Sequence, residues 1–246
     1  MELHSKYQVA LVCVLLLPAL CLSQDFTDSR ATYYSTPDGY GTSTGACGYG
    51  NYGRSVNHGR VAGVAGLWRG GGGCGACYQV RCKNSKLCDN YGTMLVATDY
   101  GAGDRTDFIM SPNAFSKLGR NPSASAELKK YGVVDIEYRR VPCAYAGNNE
   151  RIKIHESSNY PDYLAIVILY VPGMNDVTAV EIYDGYSYEW RPMRRVYGAV
   201  FDIVAAPSGP LTMRLQFDGR KGWVQSKTAI PGDWKIGASY DSQVHV

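Results

Sequence analysis

Two short patterns in the first half of the chain carry residue types able to do chemistry. Cys74-Gly-Ala-Cys77 has the spacing of a thiol redox centre or of half a zinc site, since two sulfurs three positions apart can reach one metal ion or each other. No second matching pair and no nearby histidine completes it, so neither a metal nor a redox role is expected. Gly48-Tyr-Gly-Asn-Tyr-Gly53 satisfies G-x-G-x-x-G, in which glycines let backbone amides approach a pyrophosphate at the start of a helix. Here the motif follows no strand pattern and opens no helical one, which argues against dinucleotide binding and leaves no cofactor to expect. His58 and His155 stand apart from other chemistry-bearing residues and read as ordinary structural histidines.

The cysteines make better sense as cross-links. Met1 to Lys6 is polar with one positive charge, Val9 to Leu17 is apolar, Pro18 breaks the run, and small residues stand at Cys21 and Ser23. This is the pattern of a secretory signal peptide over residues 1–23, and the apolar run is too short to span a bilayer. Cys13 and Cys21 would leave with it. Cys47, Cys74, Cys77, Cys82, Cys88 and Cys143 remain, and in an oxidising compartment they imply three disulfides, with fifteen pairings open. The other long apolar run, Tyr163 to Val171, reads as a buried strand, and the polar C-terminus carries neither a lipid-anchor nor a retention signal. The protein is expected to be secreted, with no membrane attachment. A net charge of +3 over 246 residues is too small to argue for nucleic acid. Asn121-Pro122-Ser123 is disqualified as a glycosylation acceptor by its proline.

The elements that must position any site are mostly strands. With 28 glycines and 20 tyrosines, the composition suits tight turns, strands and exposed aromatic platforms. The residue pattern predicts strands at Tyr78 to Cys82, Thr93 to Thr98 and Val133 to Val141, then at Arg151 to His155, Tyr163 to Val171, Thr178 to Tyr183, Val200 to Val204 and Leu211 to Phe217. In the last of these, Leu211, Met213, Leu215 and Phe217 alternate with polar residues, as a strand with one buried face requires. Two short helices are predicted. One is capped by Ser111 before Pro112 and ended by Gly119; the other is capped by Ser123 or Ser125 and stopped by Gly132. All six retained cysteines precede residue 144, and residues 144–150 show no strand pattern. A domain boundary is therefore expected there, with one domain over 24–143 and another over 151–246.

Several motifs occur together: Ala31-Thr-Tyr-Tyr34, Gly45-Ala-Cys-Gly-Tyr-Gly50, Gly73-Cys-Gly-Ala-Cys-Tyr78, Val80-Arg-Cys82, Ala97-Thr-Asp99, Asp135-Ile-Glu-Tyr-Arg-Arg-Val141 with Cys143, Asp162-Tyr-Leu-Ala165, Tyr197-Gly-Ala-Val200 and Ile230-Pro-Gly-Asp-Trp234. In this order the chain resembles the plant expansin superfamily, and within it the expansin-like B branch. The resemblance implies a six-stranded double-psi β-barrel similar to family 45 endoglucanases, followed by an immunoglobulin-like β-sandwich that acts as a carbohydrate-binding module. It implies the pairs Cys47–Cys74, Cys77–Cys143 and Cys82–Cys88. It also implies a monomer whose partners are the polysaccharides of the cell wall: cellulose, hemicellulose or pectin.

Cleaving a glycosidic bond needs two carboxyl groups, one to protonate the leaving oxygen and one to activate water or attack carbon. Of the family's groove acids, Asp99 survives, whereas Thr42 and Ile109 stand at two others. Asp107 keeps a carboxylate two residues from the expected acid, about 7 Å away along an extended chain, and misplacement of that size disables catalysis. Asp104 and Asp107 read as loop residues. No catalytic residue is therefore expected. The resemblance offers Thr32, Tyr34 and Asp99 as groove residues, and Tyr33, Tyr163 and Tyr197 as platforms for sugar rings. Trp190, Trp223 and Trp234 read as core or rim residues, and Arg191, Arg194 and Arg195 as a solvated face or a contact for acidic pectin. The expected activity is non-hydrolytic loosening of wall polymers; the alternatives are a weak endoglucanase or lytic transglycosylase, or a glycan-binding defence protein.

Overall fold

A computed structural model describes residues 25–242, except 102, 104, 105 and 227–229. The expected signal peptide and Asp104 lie outside the described residues. Strands β1 (Thr27–Tyr33), β2 (Val61–Val64), β3 (Cys77–Cys82), β4 (Thr93–Tyr100), β5 (Phe108–Met110) and β6 (Val134–Arg140) close into a barrel in the order β1-β5-β2-β4-β3-β6. The pairs β1/β5 and β2/β4 are parallel and the remaining pairs antiparallel. Because alternate residues of a strand point to opposite faces, Ala31, Ala62, Val64, Val80, Leu95, Phe108, Met110 and Ile136 fill the interior. Helices α1 (Asn51–Gly59), α2 (Pro112–Ser116) and α3 (Pro122–Tyr131) pack outside it.

The helix ends follow from local chemistry, with two departures from the sequence reading. Ser111 caps α2 by accepting from Ala114 N at 3.1 Å, but the helix ends at Ser116 rather than running to Gly119. Asn121, and neither Ser123 nor Ser125, caps α3 by accepting from Ala124 N at 2.8 Å. Ser125 lies inside the helix, where its hydroxyl donates to Ser116 O and Asn121 O. Gly132 stops α3 with a φ of 72°. Helix α1 was not expected, and it begins inside the glycine motif at Asn51; seventeen residues separate it from the end of β1, so no strand leads directly into it, and Val56, Asn57 and His58 leave helical geometry.

Strands β7 (Arg151–Ile154), β8 (Tyr163–Leu169), β9 (Val177–Asp184), β10 (Glu189–Pro192), β11 (Arg194–Tyr197), β12 (Val200–Val204), β13 (Met213–Phe217), β14 (Val224–Gln225) and β15 (Ser239–Asp241) form two sheets, β10-β9-β13-β14 and β11-β12-β8-β7-β15. Their inner faces make one apolar core that includes Ile152, Leu164, Ile166, Ile182, Phe201, Leu215, Phe217 and Trp234. This is an immunoglobulin-like sandwich, and the first unit is a double-psi barrel. Three disulfides, Cys47–Cys74, Cys77–Cys143 and Cys82–Cys88, are all in the barrel part.

The outer face of the five-stranded sheet docks on the barrel. Ala165, Val167, Leu169 and Val200 are buried there with Cys47 and Tyr49. Backbones nearly touch at this seam. A Cβ on Gly198 would lie 2.3 Å from Ala46 O, and one on Gly71 would lie 2.4 Å from Gly198 O, so only glycine fits at either position. Ala199 N donates to Cys47 O at 3.0 Å.

Candidate functional site

On the barrel, a row of outward-facing residues crosses four strands. Asp99 on β4 is paired with Gly63 on β2, Gly63 with Ile109 on β5, and Ile109 with Thr32 on β1. Gly63 leaves room for the phenol of Tyr34, since a Cβ there would lie 2.7 Å from Tyr34 Oη. Tyr34 Oη donates to Asp99 Oδ2 at 3.3 Å. Asp99 Oδ1 accepts from Ala46 N at 2.6 Å and from Tyr100 N at 2.8 Å. The carboxylate is thus held by three donors. Burial, reinforced by Asp99, pushes the Tyr34 phenol well above its usual range, so it stays a donor at any physiological pH.

Ile109 stands two strand spacings from Asp99, about 10 Å. A carboxyl at that position would face Asp99 at close to the separation of the two acids in an inverting glycosidase, roughly 6.5–9.5 Å. Isoleucine offers no proton. Asp107 lies beyond this row, where Ser29 Oγ donates to its Oδ2 at 2.5 Å.

The expected groove residue Thr32 and the expected platform Tyr33 both hydrogen-bond to the end of α3. Thr32 Oγ1 donates to Gly132 O at 2.8 Å and Tyr33 Oη to Lys129 O at 3.1 Å, so both tie β1 to the C-terminal end of α3. The Tyr33 ring packs 4.7 Å from Phe115, against the barrel core. A different aromatic pair begins at the residue after Asp99. Trp68, in the 3-10 segment Gly66–Gly71, meets Tyr100 edge to face at 5.5 Å, and Tyr100 is 51% exposed. Thirty-two positions separate the two in sequence, and no periodicity links them; the position of Tyr100 next to Asp99 was the one available signal.

On the sandwich, the half of the five-stranded sheet that the barrel leaves open carries Tyr163, Val204, Asp202, Arg194, His155 and Tyr197. Tyr163 Oη donates to Asp202 Oδ2 at 2.8 Å, and Arg194 grips the same carboxylate at 2.8 and 3.1 Å. Arg194, with Tyr163, holds the Asp202 carboxyl below the usual range, while burial and Asp202 together raise the Tyr163 phenol. Val204, paired with Tyr163, is 65% exposed. Tyr197, 45% exposed, lies over Gly48 of the barrel, and its hydroxyl is 3.2 Å from His155 Nε2. His155 therefore is not isolated: its Nδ1 meets Ser157 Oγ at 2.8 Å, and burial lowers its pKa. The segment from Gly45 to Gly48 joins the two halves, since Ala46 touches Asp99 and Gly48 touches Tyr197.

The remaining expectations divide. The three arginines do not form a free basic face. Arg191 donates to Val204 O and Ala205 O, Arg194 to Asp202, and Arg195 to Gly198 O and Val177 O. Trp234 is core, edge to face with Tyr160. Trp190 and Trp223 flank the Arg214 guanidinium at 4.4 and 4.6 Å on the opposite sheet, with Arg214 also bound to Glu181. Among the described residues no cluster of three or more potential metal ligands is present, and no helix is long and apolar enough to cross a membrane.

Comparison with known proteins follows the same division of the chain. Residues 151–231 match the Expansin C-terminal domain and residues 60–138 the Lytic transglycolase family of double-psi barrels. Expansin-like B1 of Arabidopsis thaliana is 53% identical over 94% of this chain and 93% of its own. Expansin-like B1 of Oryza sativa subsp. japonica is 43% identical over 99% and 97%. Among solved structures, apo Clavibacter michiganensis expansin superposes with a TM-score of 0.64 at 21% identity, covering 90% of this chain and 95% of that one. A mutant of that expansin in complex with cellohexaose gives 0.63 at 22% identity, with the same coverage.

Proposed function

This chain belongs to the expansin family, and on that premise we propose that it is a secreted wall protein that binds polysaccharide along both domains and loosens contacts between glycans without hydrolysing them. The observation that carries this reading is the row through Asp99. A lone carboxylate already gripped by Ala46 N, Tyr100 N and Tyr34 Oη faces Ile109, where a second acid would be needed. Such a row binds hydroxyl groups and cannot pass a proton to a leaving oxygen.

The contacts assigned to sugar are Tyr34, Asp99, Trp68 and Tyr100 on the barrel, and Tyr163, Val204 and Tyr197 on the sandwich. Thr32 and Tyr33 support the barrel side through α3. Phenols whose hydroxyls are fixed by Asp202 and His155 hold their rings in place before a ligand arrives, which lowers the entropy lost on binding. On the open face of the sandwich the charges come in pairs, Arg194 with Asp202 and Lys153 with Glu156. A neutral β-glucan fits this face better than acidic pectin, consistent with the cellohexaose bound by the related bacterial protein.

Constant-load extension of heat-inactivated wall strips, run beside a reducing-end assay on cellulose, xylan and pectin, tests the function. Extension with no released reducing ends is expected. Turnover abolished by Asp99→Asn or Asp107→Asn would overturn the reading.

A further inference from the structure

We propose that Asp176 is a positioning residue that holds barrel and sandwich in one relative orientation, so that their two sugar-facing patches act as a single track; the proposal rests on the binding function argued above. Asp176 lies just before β9 in the sandwich and is 8% exposed. Its Oδ2 accepts from Arg69 Nη2 at 2.6 Å and its Oδ1 from Arg140 Nη2 at 2.7 Å. Arg140 ends β6 of the barrel, and Arg69 belongs to the 3-10 segment that carries Trp68. One carboxylate of the sandwich thus holds two guanidiniums of the barrel. Its own backbone is tied down as well, since Asp176 O accepts from Asp218 N at 2.9 Å.

The apolar seam and this ion cluster do different work. Burying Ala165, Val167, Leu169 and Val200 against Cys47 and Tyr49 supplies attraction that is non-directional and tolerates sliding. A carboxylate between two guanidiniums is directional, and a small displacement leaves buried charge without its partner. The cluster stands near both patches. Arg69 stands in a left-handed conformation, with φ 49°, next to Trp68, whose ring rests on Tyr100 beside Asp99. Two positions further on, Gly71 abuts Gly198 at the turn that carries Tyr197. A shift at Asp176 therefore changes where the two patches stand relative to each other while leaving each patch intact.

A glycan long enough to touch both patches gains from the second contact through effective concentration, and that gain depends on geometry. A short ligand on one patch does not sense it. The test uses the full mature chain with two probes, cellotriose by calorimetry and amorphous cellulose by depletion binding. Asp176→Asn is expected to leave cellotriose affinity within about twofold while weakening binding to amorphous cellulose by roughly 10-fold. Small-angle scattering should then report a wider spread of domain orientations. Arg69→Leu, which removes one ion pair on the more exposed side, is expected to shift the ratio the same way and covers the case in which Asp176→Asn fails to fold. Asp176→Glu should recover part of the loss. Ile203→Val in the sandwich core serves as a control that lowers stability without moving the ratio. An unchanged cellulose-to-cellotriose ratio in both Asp176→Asn and Arg69→Leu overturns the proposal, as does an equal fall for both probes. Failure of the wild-type chain to bind either probe overturns the binding function itself.

Discussion

The barrel and the sandwich reach stability and build their proposed binding patches by opposite means. The barrel carries all three disulfides, one short strand of three residues, and glycine-rich connections such as Gly66–Gly71. Its patch is fixed by backbone donors, Ala46 N from a loop and Tyr100 N from the end of β4, which hold Asp99. The sandwich has no disulfide and relies on a continuous core of aliphatic and aromatic side chains, and its patch stands on regular strands. Covalent staples thus accompany irregular backbone, where burial alone does not fix the chain, and are dispensable where strand alternation does.

Reduction gives the largest separation of the two. In the chain-entropy account, the Cys77–Cys143 bridge, spanning 66 positions, contributes about 4 kcal/mol and Cys82–Cys88, spanning 6, about 2 kcal/mol. Dithiothreitol is expected to open amide exchange throughout the barrel while the strands of the sandwich stay protected; uniform loss of protection in both would break the comparison. Next comes Phe201→Ala, which should cost about 3–5 kcal/mol through a core cavity and depress the sandwich transition in calorimetry. Binding of cellotriose to the barrel patch of the oxidised protein should survive it at temperatures where the sandwich remains folded.

Glu150, next to β7, sharpens the comparison at the join. It is 3% exposed, its Oε2 has no partner, and burial raises its pKa to about 7. A folded-state pKa raised above the unfolded value adds stability that is fully present below about pH 4.5 and is lost as pH rises through about 7. The difference corresponds to about 3 kcal/mol. The Tm should therefore fall between pH 5 and pH 8, and Glu150→Gln should flatten that slope; an unchanged slope would dissociate Glu150 from it. The smallest effect is on ligand alone. Tyr163→Ala, losing a ring face and the bond to Asp202, should weaken sandwich binding roughly 10-fold, about 1.4 kcal/mol, with little change in Tm.

Legibility from sequence divides along the same line. Strand β8 was readable because it runs apolar, β13 because it alternates, and β12 because four apolar residues surround Asp202. In the barrel, β2 is Val61-Ala-Gly-Val64, buried at every position, and β5 has three residues, too few for a period to emerge. Asp99 was legible as a groove residue only through the family resemblance, since the donors that hold it, Ala46 N and Tyr34 Oη, lie more than fifty positions away. The roles of Thr32 and Tyr33 were not, because the α3 carbonyls that engage them come from a hundred residues away. Trp68 escaped notice for the same reason: its meaning lies in Tyr100 and in the seam, not in its neighbours along the chain.

The placement of the four tryptophans gives the molecule its own optical address. Trp190, Trp223 and Trp234 all belong to the sandwich, two around Arg214 and one in its core. Trp68 is the sole indole of the other half, wedged where the groove meets the seam. A chain with the other three replaced by phenylalanine, excited at wavelengths the 20 tyrosines do not absorb, would emit light from that wedge alone, so a single wavelength shift on adding glycan would locate the event to within one side chain.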